Sequence, residues 1–278
     1  MCFGVRDAIA LALKESAPSP LTILGDLVHN ETVLSDLRAR GISIKQELVE
    51  VTTPTVMITA HGTSQRRMDA IKRSGLNLLE ATCPLVKVAH EAIVGLAEQG
   101  FHPIIIGQRE HVEVRGLTGD LREFDVVLNE GDVLALAERD RFGIAAQTTQ
   151  PIARVEGLVG MIRRRFPRAE VRFIDTVCRP TKQRQTAAED LARRSDVVVV
   201  IGGAHSNNTR ELTMTCRRHC ARVHQVTSTG DLRIEWFADA ETVGVTAGTS
   251  TPDSVIEEVQ AWLERLKQAA PVHEVACV

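Results

Sequence analysis

The sequence predicts an α/β fold with mostly parallel sheets, built as three similar α/β units about a pseudo-three-fold axis. Strand-sized apolar runs alternate with stretches of helical periodicity along the whole chain, the pattern of strand–helix crossover units. A longer period lies above that alternation. Cys2 in "MCFGVRDAIALAL", Cys83 in "NLLEATCPLVKVAHEAI" and Cys178 in "VRFIDTVCRPTKQRQTAAEDLA" each open a helical stretch. The cysteines lie 81 and 95 residues apart, and 100 residues follow the last. Three units therefore span 1–82, 83–177 and 178–278, the first with its N-terminal strand apparently missing and the third with a C-terminal tail.

In chain order, buried strands are expected at 55–60 ("TVMITA"), 102–107 ("HPIIIG") and 142–147 ("FGIAAQ"). Three more are expected at 171–176 ("VRFIDT"), 197–203 ("VVVVIGG") and 243–248 ("VGVTAG"). Helices are expected after Cys2 and over 32–41, 87–100, 151–166, 186–195 and 251–266. Gly41 and Gly100 read as helix stops, and Pro167 stands just beyond one.

Composition removes several functions. Formal net charge is −3 with both signs interspersed, which argues against a nucleic-acid surface. Tyr is absent and Trp occurs twice, too few aromatics for a base-stacking platform. No apolar run reaches membrane-spanning length and no signal peptide opens the chain, so a cytoplasmic location is expected. In a reducing compartment the six cysteines read as ligands, catalysts or core residues rather than disulfides.

Cys2, Cys83 and Cys178 each fall where a strand C-terminus meets a helix N-terminus, the edge at which open α/β sheets bind ligands. A helix N-terminus favours thiolate over thiol. Three thiolates converging on one axis require a cation. Zinc would need a fourth ligand such as His61 or His111. An iron–sulfur cubane would leave one iron open to substrate. Cys216 and Cys220 of "CRRHC", with His219 and His224 nearby, have i, i+4 spacing but no strand end before them, and read as core thiols. Cys277 reads as an incidental residue of the tail.

The other strand ends carry polar groups: His29, His61, His111, Glu113, Thr148, Thr149, Ser206, Asn207, Asn208, Thr249 and Ser250. Taken singly they are turn residues or caps, with Asn208 or Thr209 a suitable N-cap for one helix and Ser250, Thr251 or Asp253 for another. Together, hydroxyls, amides and histidines at helix starts suit a phosphate or diphosphate. Neither a Walker-type nor a G-x-G-x-x-G loop occurs at these junctions, so nucleotide binding is not indicated. Glu113, the single carboxylate of the set, is placed to donate a proton. The residues thus describe an iron–sulfur or zinc enzyme acting on a small phosphorylated molecule.

The segments "CFGVRDAI", "VHN", "TAHGTS", "ATCPLV", "EHVEVRG", "QTT", "GGAHSNNTREL" and "GVTAGTSTPD" occur in that order from residue 2 to about 265. This combination resembles the 4-hydroxy-3-methylbut-2-enyl diphosphate reductase (IspH/LytB) family. The resemblance implies a trefoil of three domains around a 4Fe-4S cluster held by Cys2, Cys83 and Cys178, with the open iron binding the substrate's allylic hydroxyl. Two electrons and protons would remove water, giving isopentenyl and dimethylallyl diphosphates in the non-mevalonate isoprenoid route. It assigns His29, His61, Ser206, Asn208 and Ser250 to the diphosphate, His111 and Thr148 to the site lining, and Glu113 to proton relay. Asn207 replaces the second serine of the family's "NSSN" and still donates to phosphate. A ferredoxin or flavodoxin would supply electrons, since no flavin or nicotinamide motif occurs. The family's first strand usually ends in "GFC", whereas Cys2 follows only Met1; either the start lies upstream or the chain lacks a strand, and a labile cluster is expected if it begins here. The alternatives are an iron–sulfur hydro-lyase, which consumes no electrons, a zinc-stabilised binding module without catalysis, and a cluster-deficient truncated paralogue.

Overall fold

The computed structural model describes residues 1–269 and 274–277, and it shows three four-stranded sheets in which every pairing is parallel. After α1 (Phe3–Ser16) the first sheet comprises β1 (Leu21–Leu24), β2 (Ser43–Lys45), β3 (Thr55–Ile58) and β4 (Asn77–Glu80), with α2 (Glu31–Ala39) and α3 (Gln65–Arg73) as crossovers. Following α4 (Pro84–Glu98), the second comprises β5 (His102–Ile106), β6 (Asp125–Val127), β7 (Arg141–Ala146) and β8 (Glu170–Phe173). Its crossovers are α5 (Val112–Thr118), α6 (Glu130–Ala135) and α7 (Ile152–Arg165). After α8 (Arg179–Arg193), the third comprises β9 (Val197–Ile201), β10 (Arg222–Val226), β11 (Thr242–Ala247) and β12 (Glu274–Cys277), with α9 (Asn207–Arg217) and α10 (Asp253–Ala269). The chain divides into two compact units, one of Met1–Phe3, His29–Val33 and Arg179–Val278, the other of Gly4–Val28 and Leu34–Cys178.

All three sheets have one topology. Their spatial orders are β2-β1-β3-β4, β6-β5-β7-β8 and β10-β9-β11-β12, so the first and third strands of each set are always central. Parallel neighbours need crossovers long enough to return the chain to the same edge, and helices supply them. The central strands are almost wholly buried, while β2, β4 and β8 are largely intermediate or exposed. Apolar runs therefore marked the middle of each sheet. The stretch "VRFIDT" is a correction: it was expected to be a buried strand, but β8 covers only 170–173 and alternates exposed and half-buried residues, as an edge does. The stretch read as a tail also differs. Its residues 274–277 pair with Val243 and its neighbours as β12, and Cys277 lies in that strand.

A further signature repeats at the start of each sheet. Gly25, Gly107 and Gly202 follow the first strands and donate their amides to the last residues of the second strands, Lys45, Val127 and Val226, at 2.7, 3.0 and 2.8 Å. Gly41 and Gly100, expected as helix stops, adopt φ of 84° and 80°, the left-handed region in which glycine carries no side-chain penalty.

Strand alternation divides the core. In the second sheet Ile104, Ile106, Phe142 and Ile144 face α7 through Val155, Leu158 and Ile162, while Ile105 and Ala145 face Ala89, Ile93 and Leu96 of α4. In the third, Val198 and Val200 meet Ala188 and Leu191 of α8 and Leu212 of α9. Two of the cysteine-led helices, α4 and α8, lie close to these sheets at one repeated position. A Cβ on Gly143 would stand 2.8 Å from Leu96 Cβ and Phe101 Cβ, and one on Gly244 would stand 2.8 Å from Leu191 Cγ. Leu96 and Leu191 each lie thirteen residues beyond their cysteine. Gly143→Ala should therefore force α4 off β7 and lower unfolding free energy by about 1–3 kcal/mol in a urea titration; an unchanged midpoint would show that the contact yields freely.

Candidate active site

Each cysteine of the long period is fixed by the same backbone bond. The amides of Cys2, Cys83 and Cys178 donate to the carbonyls of Thr249, Ala60 and Thr148, all at 3.0 Å. Each acceptor lies two residues beyond the third strand of a sheet, whose last residues are Ala247, Ile58 and Ala146. The three cysteines thus hold equivalent places in three equivalent sheets. Each then starts a helix: Cys83 is the N-cap of α4 with Pro84 in the first turn, and Cys2 and Cys178 directly precede α1 and α8. Cys2, Cys83 and Cys178 are half-buried, and among the described residues none is in a disulfide. A Cβ on Gly4, in the first turn of α1, would stand 2.7 Å from Cys83 Sγ, so the backbone there passes directly over the sulfur.

Glu113, in the first turn of α5, is 1% exposed. Its Oε1 accepts from the Thr148 amide at 2.6 Å and its Oε2 from the Thr148 hydroxyl at 3.0 Å. Burial pushes its pKa up to about 7 against those two bonds, which favour the carboxylate. Thr148 therefore serves two partners, holding the acid by its amide and hydroxyl and the Cys178 amide by its carbonyl. His111 caps α5: its Nδ1 accepts from the Glu113 amide at 3.2 Å, which leaves the neutral ring's proton on Nε2. His61 follows Ala60 in the turn that holds Cys83, and its ring meets that of His111 edge-on at 5.7 Å between centroids. His61, His111, Glu113, Thr148, Cys83 and Cys178 all lie in the larger compact unit.

His29, Ser206, Asn207, Asn208, Ser250 and Cys2 lie in the other unit. Ser206 is the N-cap of α9, its hydroxyl accepting from the Thr209 amide at 3.3 Å; the cap expected at Asn208 or Thr209 is thus two or three residues earlier. Asn207 and Asn208 are the first residues of α9 and are buried. Asn208 Oδ1 accepts from the Thr249 amide at 2.9 Å, which brings the turn of Ser250 to the start of α9. The backbone carbonyl of His29 stands 2.7 Å from where a Cβ on Gly203 would be, so only glycine fits there. Among the described residues, Asn208 Nδ2, Thr209 Oγ1 and Ser250 Oγ are buried with no hydrogen-bond partner. Leaving several such groups unpaired at one helix start is costly, and an anion with several acceptor oxygens satisfies them together. Thr209 escaped the sequence reading as a binding group; its signal was only its place one residue past the asparagines.

The second cysteine pair is structural. Cys216 and Cys220 are buried and donate to the carbonyls of Ala188 and Asp196 at 3.7 and 3.4 Å. Burial and the neighbouring Cys220 push the Cys216 thiol up to about 12. His219 pairs with Glu189 at 3.2 Å and His224 stacks on Trp236 at 4.0 Å. Among the described residues no group of three or more His, Cys, Asp or Glu side chains stands ready-made around a metal position. Also among them, no helix is long and apolar enough to cross a membrane.

A buried acid poised near neutrality, and a helix start with hydrogen-bond capacity to spare, are features of an α/β enzyme with an anionic substrate. Comparison with known proteins narrows that class. The family model described as LytB protein matches residues 1–264, and the chain belongs to this family. It is 34% identical over 270 residues to the 4-hydroxy-3-methylbut-2-enyl diphosphate reductase of Trichlorobacter lovleyi, covering 96% of each chain. It is 35% identical over 272 residues to the reductase of the same name from Aquifex aeolicus, covering 95% of this chain and 93% of that one. Among solved structures it is similar to (E)-4-hydroxy-3-methyl-but-2-enyl diphosphate reductase, described as the terminal enzyme of the non-mevalonate pathway, with TM-score 0.69, 34% identity and coverage of 95% and 96%. It is also similar to the corresponding reductase of Plasmodium falciparum, with TM-score 0.89, 25% identity and coverage of 100% and 88%.

The Glu113 shift has a stability consequence of definite sign. Its folded pKa lies above the ordinary value, so the folded state holds a proton that the unfolded chain releases, and stability falls as pH rises from about 4.5 to about 7. Glu113→Gln removes that penalty. Its stability advantage over the native chain should grow by roughly 2 kcal/mol between pH 5 and pH 8 in urea titrations. A difference independent of pH would mean that Glu113 is ionised throughout.

Proposed function

We propose that the chain is a 4-hydroxy-3-methylbut-2-enyl diphosphate reductase, converting that allylic alcohol to isopentenyl and dimethylallyl diphosphates. The observation that carries the reading furthest is the bonding of Thr148, which ties Glu113, its pKa pushed up to about 7 by burial, to the backbone of Cys178. Family membership and the relatives' names support it. In this reading Cys2, Cys83 and Cys178 hold a 4Fe-4S cluster. Their soft donors, equivalent backbone anchoring and helix-start positions suit it, as does the absence of a fourth cysteine in the set. When bound, the cluster supplies electrons and one open iron as a Lewis acid for the substrate hydroxyl.

The chain's own groups do the rest. The substrate's C–O bond breaks and a C–H bond forms, with two electrons and two protons entering and water leaving. Glu113, half-protonated near neutrality, supplies a proton through the Thr148 hydroxyl, while Thr148 and His111 line the hydroxyl end. His29, His61, Ser206, Asn207, Asn208, Thr209 and Ser250 bind the diphosphate, the buried unpaired groups of Asn208, Thr209 and Ser250 being the reason an anion is held there. A ferredoxin or flavodoxin delivers electrons in the cytoplasm, a setting that suits cysteines serving as ligands rather than in disulfides. The three units read at 1–82, 83–177 and 178–278 each bring one cysteine.

An anaerobic assay with dithionite-reduced methyl viologen tests this directly. The expected result is oxidation of two viologen equivalents per molecule of diphosphate product, abolished in Glu113→Ala. Product formed without electron consumption would instead establish the hydro-lyase, and no turnover by iron-loaded protein would overturn both.

A further inference from the structure

We propose that His90 is a positioning residue for this reaction, the spacer that fixes the body carrying His61 and Glu113 against the helix that begins at Cys83. His90 lies seven residues beyond Cys83, two turns along the same face of α4. Its Nε2 would stand 3.3 Å from a Cβ on Gly116, tighter than ordinary contact, and 3.6 Å from one on Gly62, so the ring packs directly against both glycines. Gly62 follows His61 directly. Gly116 lies one helical turn beyond Glu113.

The two sides of that contact are joined behind it. A Cβ on Gly116 would touch Thr63 Cα at 3.3 Å, and one on Gly119 would meet Ser64 Cβ at 2.6 Å. The Asp120 carboxylate accepts from the amides of Gln65 and Arg66 at 2.6 and 3.0 Å. The end of α5 and the segment 62–66 are thereby one body, with His61 and Glu113 at its site end and His90 wedged against it from α4. A cavity of about 370 Å³, lined by Thr63, Glu80, Lys87, Glu91 and Asp120, adjoins the ring. Three of its charges are engaged: Lys87 pairs with Glu80 at 2.9 Å and Asp120 caps α3. Among the described residues His90 Nε2 is buried with no hydrogen-bond partner. Burial lowers the ring's pKa against the opposing pull of Asp120 and Glu80, so the wedge is neutral at neutral pH. Neither the reaction nor the substrate pocket described above uses this histidine.

The proposal rests on reading Glu113 as the working acid, but its test needs no substrate. The infrared carboxyl band of Glu113, assigned by its loss in Glu113→Gln, reports the protonation of that one group. In His90→Ala, α5 is no longer held, water reaches Glu113, and its titration midpoint should fall by at least about one unit toward the ordinary carboxylate value. His90→Gln, which can place a polar atom where Nε2 lies, should restore the midpoint. Gly116→Ala presses on the same contact from the other side and should shift the band in the same direction, so the test stands even if His90→Ala does not fold. An unmoved Glu113 midpoint in folded His90→Ala, or in Gly116→Ala, would overturn the proposal and leave His90 as ordinary packing. A failed reductase assay with a shifted band would refute the proposed activity and leave the positioning role intact.

Discussion

The backbone bond from each cysteine amide to a carbonyl two residues beyond a third strand is the constraint on which the site depends. A single such bond contributes only about 1 kcal/mol net. Its importance is geometric. The third strand of each sheet is buried and locked between two neighbours, so its C-terminal edge is among the most rigid places in the fold. Tying the cysteine there sets the sulfur by the sheet rather than by a loop, and the helix that follows inherits its start from the same point. Repetition of the device at Ala60, Thr148 and Thr249 gives three sulfurs with one local geometry from a sequence with no repeat visible by eye.

The same carbonyl edge carries the polar chemistry. His61, Thr148 and Ser250 lie at or beside the three acceptors, so the segments that anchor the cysteine backbones also carry the groups proposed to react or bind. Two of these arrangements work against stability. Glu113 is buried where ionising it is unfavourable, and donors around Asn208, Thr209 and Ser250 are buried unpaired. Sites that bind or transfer charge commonly sacrifice stability in this way, and the rigid sheets beneath them absorb it.

Much of this was legible in the sequence, for identifiable reasons. Central strands announce themselves because burial on both faces demands continuous apolar runs, as in "HPIIIG" and "VVVVIGG". The edges β2, β6 and β10 bury less and carry residues such as Lys45, Asp125 and His224, so they left no such mark. "VRFIDT" shows the converse error, an apolar edge mistaken for a centre. The cysteine period was readable because a thiol before a helix is an uncommon pattern, whereas the bond that makes the three equivalent involves only backbone and leaves no residue signature. Glu113 stood out as the lone carboxylate among strand-end groups, but its link to Thr148 spans thirty-five residues and is visible only in the fold. His90 was silent for a different reason: its partners are glycines, whose role is to be absent.

The central claim is that Cys2, Cys83 and Cys178 are three equivalent ligands of one cluster while Cys216 and Cys220 are core thiols. Iron and sulfide analysis of anaerobically purified single Cys→Ser variants tests it most directly. The account predicts that substitution at 2, 83 or 178 each lowers bound iron and the visible absorption to a similar degree, and that substitution at 216 or 220 changes neither. Full iron retention in any of the first three, or loss of iron in either of the last two, would contradict it.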